Sequence, residues 1–497
     1  MTQNDRAVAF LYYVVNGTPV VWPGATSQRD LSPTSFPPGS DAEVLILESM
    51  GLWNIVPGAD FEFTAVRLDQ DYNIDHTDGF NDTAVVASSQ LDPGVLGVTF
   101  LVNNGAEWFD MDVLFSDNPD GVGYTLDPNP GCDVVANPIP TNGYSFLLIA
   151  VHEMGHALGL GHFPAGDEPP GTQWFIGTMN PGYPTGGPVG QNNIIEVHTD
   201  DRNGVRFLYP PAVPVDPPVH DVAHAGYSSS DTIGTAVPVY FSPSSLAPGD
   251  ELTLRAVIEN FGTADELAVR EGFYLSLDPV IDELDMWIGA LIWDLAAGSA
   301  AEFDAIVTLP GDMPAGDYFL GAIIDDLNEI PELYEDNNAV SYCEMLTVQQ
   351  LAPVIDLSAS QAAACGQPYE GPSPGLTHPV NMSPVTWTLD AAPVGVTIDA
   401  DTGVITWANP VPAPTPHDVT VRATNGAGSA TALVMLTVLQ GDTSGNGRID
   451  LGDLPAMAAC LTGPVGGLKA DCGCSDLDAD TDVDLRDIWT YQTAFEN

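Results

Sequence analysis

The run "SFLLIAVHEMGHALGLGH" (145–162) constrains this chain more than any other stretch. It predicts a long apolar helix ending in glycines. His152 and His156 lie four residues apart, so both imidazoles project from one face about one turn apart. That spacing can clamp one zinc ion, and Glu153 beside the first ligand can reach a zinc-bound water as general base. Gly159 lets the chain leave the helix and turn, and His162 then returns as third ligand. Three neutral imidazoles leave one coordination position open, which marks a catalytic rather than a structural zinc. The competing interpretation is a buried helix with incidental histidines. With 9 His in 497 residues, a further histidine at a prescribed place is about a 2% coincidence.

The full pattern, His152-Glu153-x-x-His156-x-x-Gly159-x-x-His162, resembles the metzincin clan of zinc peptidases. Met179 in "GTMNPGYP" stands where that clan places a methionine turn beneath the metal. Pro181 and Tyr183 follow at offsets that resemble the matrixin branch, where this segment walls the S1′ specificity pocket. "HTDDRNGVRFLYP" resembles the matrixin C-terminal helix, which implies that Asp200 and Asp201 tie this helix to the methionine turn. "GLWNIVPGADFEF" is similar to the end of the family's first helix and its following strand. The resemblance spans about residues 8 to 210 and implies a zinc endopeptidase with Glu153 as catalytic base. An S1′ pocket of this kind should favour an apolar P1′ side chain. There are departures. Phe163 follows the third histidine where matrixins often have serine, and no cysteine-switch propeptide is visible. "NIDHTDGFND" offers Asp75, His76 and Asp78 without the partner histidines of a structural zinc, so a turn capped by Asx residues is favoured over a second metal there.

The remaining catalytic-region elements follow from local pattern. "GSDAEVLILESMGLWNIVPG" reads as a helix that Ser40 or Asp41 can cap, with Val44, Leu47, Met50 and Leu52 at helical spacing. Residues 61–68, 97–102 and 108–115 read as strands. "GVTFLVNN" is the candidate edge strand for pairing with an extended substrate, and a plain core strand is the alternative. "TDDRNGVRFLY" (199–209) begins a last helix with acids in its first turn.

The acidity of the chain bears on partners. A single lysine (Lys469) and ten arginines face 68 acids, for a formal net charge of -57. Such a surface repels nucleic acid and anionic membranes and suits divalent cations. No run approaches membrane-spanning length. Six cysteines are too few for a disulfide scaffold: a bridge from Cys460 to Cys472 or Cys474 is plausible, and the pairing of Cys132, Cys343 and Cys365 is not readable. The N-terminal residues lack the ordered regions of a signal peptide, so secretion or a cell-surface location is expected from the modules alone.

Proline-rich and glycine-rich seams give the expected organisation: a peptidase domain at 1–211, a stiff linker at 212–220, and modules at 221–349, 350–440 and 441–497. "AGDYFLGAIIDDLNEI" and its surroundings resemble the CARDB type of bacterial adhesion module, a seven-stranded sandwich. "VTWTLDAAPVGVTIDADTGVITWANP" resembles a bacterial Ig-like or cadherin-like repeat. Both are expected to act as spacers.

In the tail, "DTSGNGRIDLGD" places Asp442, Ser444, Asn446, Arg448, Asp450 and Asp453 at loop positions 1, 3, 5, 7, 9 and 12. "DLDADTDVDLRD" places Asp476, Asp478, Asp480, Asp482, Asp484 and Asp487 likewise. Oxygen ligands at this spacing, with the position-7 carbonyls of Arg448 and Asp482, suit Ca²⁺. The paired loops, each leading into a short helix, resemble a type I dockerin, which implies two calcium ions and a cohesin-like partner. Thr481 replaces the glycine expected at the sixth position of the second loop.

The expected fold is therefore multidomain: an α/β metzincin (zincin-like) domain, two Ig-like β-sandwiches and a small α calcium-binding module. The expected function is a secreted zinc endopeptidase acting on extracellular proteins. The alternative is a non-catalytic adhesion or scaffold protein with a vestigial peptidase domain.

Overall fold

In the computed structural model, which describes all residues except 1–3, 7–9, 68–71, 73–74, 129–142, 163–174, 181–194, 214, 216, 228–238 and 496–497, a five-stranded sheet is accompanied by three helices, the second of which carries the histidine motif. Its elements are β1 (Thr26–Leu31), α1 (Asp41–Asn54), β2 (Glu62–Arg67), β3 (Asp82–Val86), β4 (Gly97–Asn103), β5 (Trp108–Ser116), α2 (Phe146–Leu158) and α3 (Thr199–Leu208). The strand order is β2-β1-β3-β5-β4, parallel except for β4, which runs antiparallel to β5 at the edge.

Ser40 caps α1 by accepting the Glu43 N–H. The face α1 buries is Leu45, Ile46, Met50 and Trp53, while Val44 and Leu47 are exposed. Of the expected positions Met50 is buried and Leu52 half-buried, while Leu45 and Ile46 take the places of Val44 and Leu47, because several apolar side chains on α1 compete for the core and only packing selects among them. Helix α2 is buried almost all round, with His152 alone half-exposed. Its carbonyls are also engaged from outside: Trp53 Nε1 donates to Val151 O at 2.9 Å and Trp22 Nε1 to Ala157 O at 2.7 Å.

Strands β1 and β3 were not anticipated, because "TSQRDL" and "DTAVV" carry polar residues in the sheet interior. Arg29 is fully buried, and its guanidinium donates to Thr83 Oγ1 and to the Asp82 carbonyl at 3.0 Å. Its Nε and Nη2 thus find partners, while Nη1 has none among the described residues.

The next eight strands form a sandwich: β6 (Val222–Tyr227), β7 (Val239–Ser242), β8 (Glu251–Asn260), β9 (Glu266–Ser276), β10 (Met286–Leu295), β11 (Ala300–Thr308), β12 (Gly316–Ile324) and β13 (Ala339–Val348). Two short pieces of the first region join one of its sheets. Asn4–Arg6 pairs with β11, and Phe175–Ile176 pairs with β6. The first region and this sandwich form one compact unit, residues 1–246, 250–309 and 317–347. The Pro-rich segment 212–220 lies within this unit.

The second unit holds a smaller sandwich with strands β14 (Ser360–Ala362), β15 (Thr386–Ala391), β16 (Val396–Ile398), β17 (Ile405–Trp407), β18 (His417–Asn425) and β19 (Gly428–Thr437). Trp407, Val421 and Leu436 lie in its core. The tail helices α4 (Leu454–Cys460) and α5 (Leu485–Thr493) follow the two acidic loops. Two disulfides are formed among the described residues. Cys460–Cys472 is one of the two local bridges considered above, and Cys365–Cys474 ties the sandwich to the tail across 109 residues.

Candidate metal centre

Helix α2 starts at Ser145, whose side chain accepts the Leu148 N–H, and stops at Gly159, which has φ +115°. A side chain at 159 would be strained there and would meet the Trp108 indole at 2.9 Å. The turn that follows returns His162 to the other two imidazoles. The ligand atoms of His152, His156 and His162 all lie within 4.8 Å of one another. His156 is buried, His152 half-buried and His162 exposed, so the group opens to solvent on one side.

Two backbone carbonyls orient the rings. His152 Nδ1 donates to Thr178 O and His156 Nδ1 to Leu160 O, each at 2.8 Å. That arrangement leaves both Nε2 atoms unprotonated and available to a metal. Burial pushes the His152 pKa down to about 4 and that of His156 well below its ordinary value, so both are neutral at pH 7. Burial also lowers the His162 pKa, and three neutral imidazoles, two of them held in orientation, fit a zinc ion.

Glu153 is buried beside them. Burial raises its carboxyl to about 7, against the opposing effect of Thr99, whose hydroxyl donates to Oε2 at 2.7 Å. Thr99 lies on β4, the strand expected as a candidate edge, and β4 is indeed the edge of the sheet. Gly97 on the same strand lies so close that a Cβ there would sit 2.8 Å from Glu153 Cγ and Oε1. Neither Thr99 nor Gly97 was singled out from sequence, where nothing linked the strand to the glutamate.

Met179 is 1% exposed and lies under α2, where a Cβ on Gly155 would fall 2.2 Å from its sulfur. Its N–H donates to Asp201 Oδ2 at 3.1 Å, the tie expected between helix and methionine turn. Asp200 faces Gly177, where a Cβ would lie 2.7 Å from its carboxylate. Pro181, Tyr183 and Phe163 lie outside the described residues. At the candidate second metal, His76 Nδ1 bonds Asp112 Oδ2 at 2.6 Å and its ring stacks on Phe100 at 4.0 Å. Asp75 accepts the Thr77 N–H and Asp78 the Phe80 N–H, which is an Asx-capped turn.

The two tail loops share the wiring of their last aspartate and differ by one position at the first. In the first, Asp442 accepts the N–H groups of Gly445 and Gly447, while Asp453 accepts those of Thr443, Ser444 and Asp450. In the second, Asp476 accepts from Asp480 and Thr481, while Asp487 accepts from Leu477, Asp478 and Asp484. The oxygens of Asp476, Asp478 and Asp487 converge within 4.8 Å, and so do those of Asp482, Asp484 and Asp487. The side chains of Ser444 and Asn446 bond those of Asp442 and Asp450, and the Arg448 N–H donates to Asn446 Oδ1.

Comparison with known proteins agrees with the first three modules. The family model "Matrixin" matches residues 38–210, "CARDB" residues 236–342 and "Putative Ig domain" residues 352–439. Matrix metalloproteinase-25 of Homo sapiens is 40% identical over 78 residues, 15% of this chain and 12% of that protein. Its Mus musculus counterpart is 41% identical over 68 residues, 14% of this chain and 9% of that protein. The chain thus spans only a small part of the length of these curated relatives. A solved CARDB domain from Pyrococcus furiosus is 14% identical and covers 28% of this chain and 95% of that domain, with a TM-score of 0.19.

Proposed function

We propose that this chain is a zinc-dependent endopeptidase acting on extracellular proteins. The observation that carries the proposal is the convergence of three imidazoles, two of them oriented by backbone carbonyls, beside a buried glutamate. His152, His156 and His162 would hold the zinc, which when bound supplies a Lewis acid and an acidified water. Thr99 occupies Glu153 Oε2, leaving Oε1 to accept a proton from the attacking water and pass it to the leaving amine. Strand β4, at the edge of the sheet among the described residues, would pair with an extended peptide by backbone hydrogen bonds. Pro181 and Tyr183 are proposed to wall an S1′ pocket that prefers an apolar residue.

A casein assay on the zinc-loaded chain tests this proposal. Glu153→Ala should lower turnover by at least about a hundredfold while binding zinc one to one. Failure of the zinc-loaded wild type to cleave any protein substrate would sink the enzyme and leave the adhesion alternative standing.

The tail is proposed to bind two calcium ions through its paired loops and to hold the enzyme, secreted or at a cell surface, to a cohesin-like protein. Titration calorimetry should show two calcium sites, one lost in Asp442→Ala and the other in Asp476→Ala. No membrane span is proposed: no described helix is long and apolar enough to cross a bilayer.

A further inference from the structure

Helix α3 has no side chain of its own at its N-terminus: His198 precedes it and makes no capping bond. Its first backbone N–H groups would be left without partners in a buried setting. The partner comes from the sandwich. Glu259, near the end of β8 and fully buried, accepts the Thr199 N–H on Oε1 at 2.8 Å and the His198 Nδ1–H on Oε2 at 2.6 Å. Charge-assisted bonds of this kind, desolvated on both sides, are among the strong ones. Burial alone would lower the His198 pKa, but the Glu259 carboxylate together with the Asp201 and Glu196 charges outweighs it, so the imidazole is raised above its ordinary value.

The contact continues inward to the histidine cluster. The His198 N–H donates to Thr178 Oγ1 at 3.0 Å, and that hydroxyl donates to the Glu196 carbonyl at 2.9 Å. The carbonyl of the same Thr178 accepts the His152 Nδ1–H at 2.8 Å. The next residue is Met179, whose N–H is held by Asp201 in the first turn of α3. One carboxylate of the sandwich thereby reaches His152 through His198 and Thr178.

We propose that Glu259 is a positioning residue of the peptidase, and that the first sandwich completes the zinc site rather than spacing it. Glu259 clamps the start of α3, α3 and His198 fix Thr178 and the methionine turn, and Thr178 fixes the His152 ring with Nε2 toward the metal. The inference rests on the zinc-peptidase proposal above.

The test uses the full chain with zinc and, separately, cobalt(II) in its place. Glu259→Gln keeps the size of the side chain but turns an amide N–H toward one of the two donors. It should weaken zinc binding about tenfold to a hundredfold in chelator competition, the range seen for losses behind a metal ligand. It should also shift the cobalt absorption bands and lower kcat more than it changes KM. Where Glu259→Gln fails to fold, His198→Asn reads the same relay and should give the same loss. Asn203→Ala removes a different contact of α3 with the sandwich, Asn203 Nδ2 to Gly298 O at 2.8 Å, and should retain zinc like the wild type. Wild-type zinc affinity and cobalt spectrum in Glu259→Gln or its substitute would overturn the inference, and so would an equal loss in Asn203→Ala. A wild type that binds no zinc would instead overturn the zinc-peptidase proposal itself.

Discussion

Gly97 and Gly155 show how little room the reacting groups have. A methyl at 97 would collide with Glu153 at 2.8 Å, so Gly97→Ala should push the carboxylate off its position. Misplacement by about 1 Å can cost on the order of a hundredfold, and we expect a turnover loss of at least about tenfold with zinc stoichiometry unchanged. Gly155→Ala strikes Met179 at 2.2 Å and Trp53 at 2.7 Å. Overpacking of this kind should destabilise by about 1–3 kcal/mol, measurable as a lower unfolding midpoint in denaturant. Asp200 has a pH signature. Burial first, and the Asp201 charge second, raise its carboxyl well above the usual range, and Asp201 itself is raised to about 6. The folded chain therefore keeps protons that the unfolded chain releases near pH 4. Their stabilisation is complete below that pH and lost as pH rises through the folded values. Between about pH 5 and 8 the melting temperature should fall, and Asp200→Asn should flatten the fall; parallel curves for the two proteins would refute this.

At the level of elements, the two acidic loops look unequal in sequence and equal in backbone. Positions 4 and 6 of the first loop are Gly445 and Gly447, with φ +76° and +83°; the second loop uses Ala479 and Thr481, at +59° and +76°. The absent glycine thus changes the strain and leaves the turn in place, because Asp476 still collects the N–H groups of positions 5 and 6. Thr481→Gly should relieve about 0.5–1 kcal/mol and tighten calcium binding at that loop about threefold to fivefold by calorimetry. Helix α2 was legible because its apolar run, its glycine stop and its histidine spacing all lie within eighteen residues of sequence. The buried face of α1 was less so. Ser40 as its cap and Met50 as a core residue were readable, yet Val44 and Leu47 fit the helical period as well as Leu45 and Ile46 do, and only tertiary packing separates them.

On the scale of the molecule, the modules are joined by more than linkers. In the second unit Gly445 packs against Ala364, the Cys365 N–H donates to Asp442 O at 2.8 Å, and Cys365–Cys474 closes the contact. Replacing both cysteines by serine should remove about 3–5 kcal/mol and quicken proteolysis around residues 438–447. In the first unit the buried Arg202 guanidinium lies 3.9 Å from the Phe261 ring, and Arg206 donates to the carbonyls of Pro57 and Phe261. These residues lie far apart along the chain and carry no local signal. The sequence by itself determined the grouping of the three histidines, Glu153 beside them, Met179 and the two twelve-residue loops, because each depends on spacing within a short stretch. Only the tertiary structure decided that Thr99 and Gly97 frame Glu153, that His76 pairs with Asp112, and that a sandwich carboxylate caps α3. Those are encounters between distant segments, set by which polar groups must find partners once water is excluded.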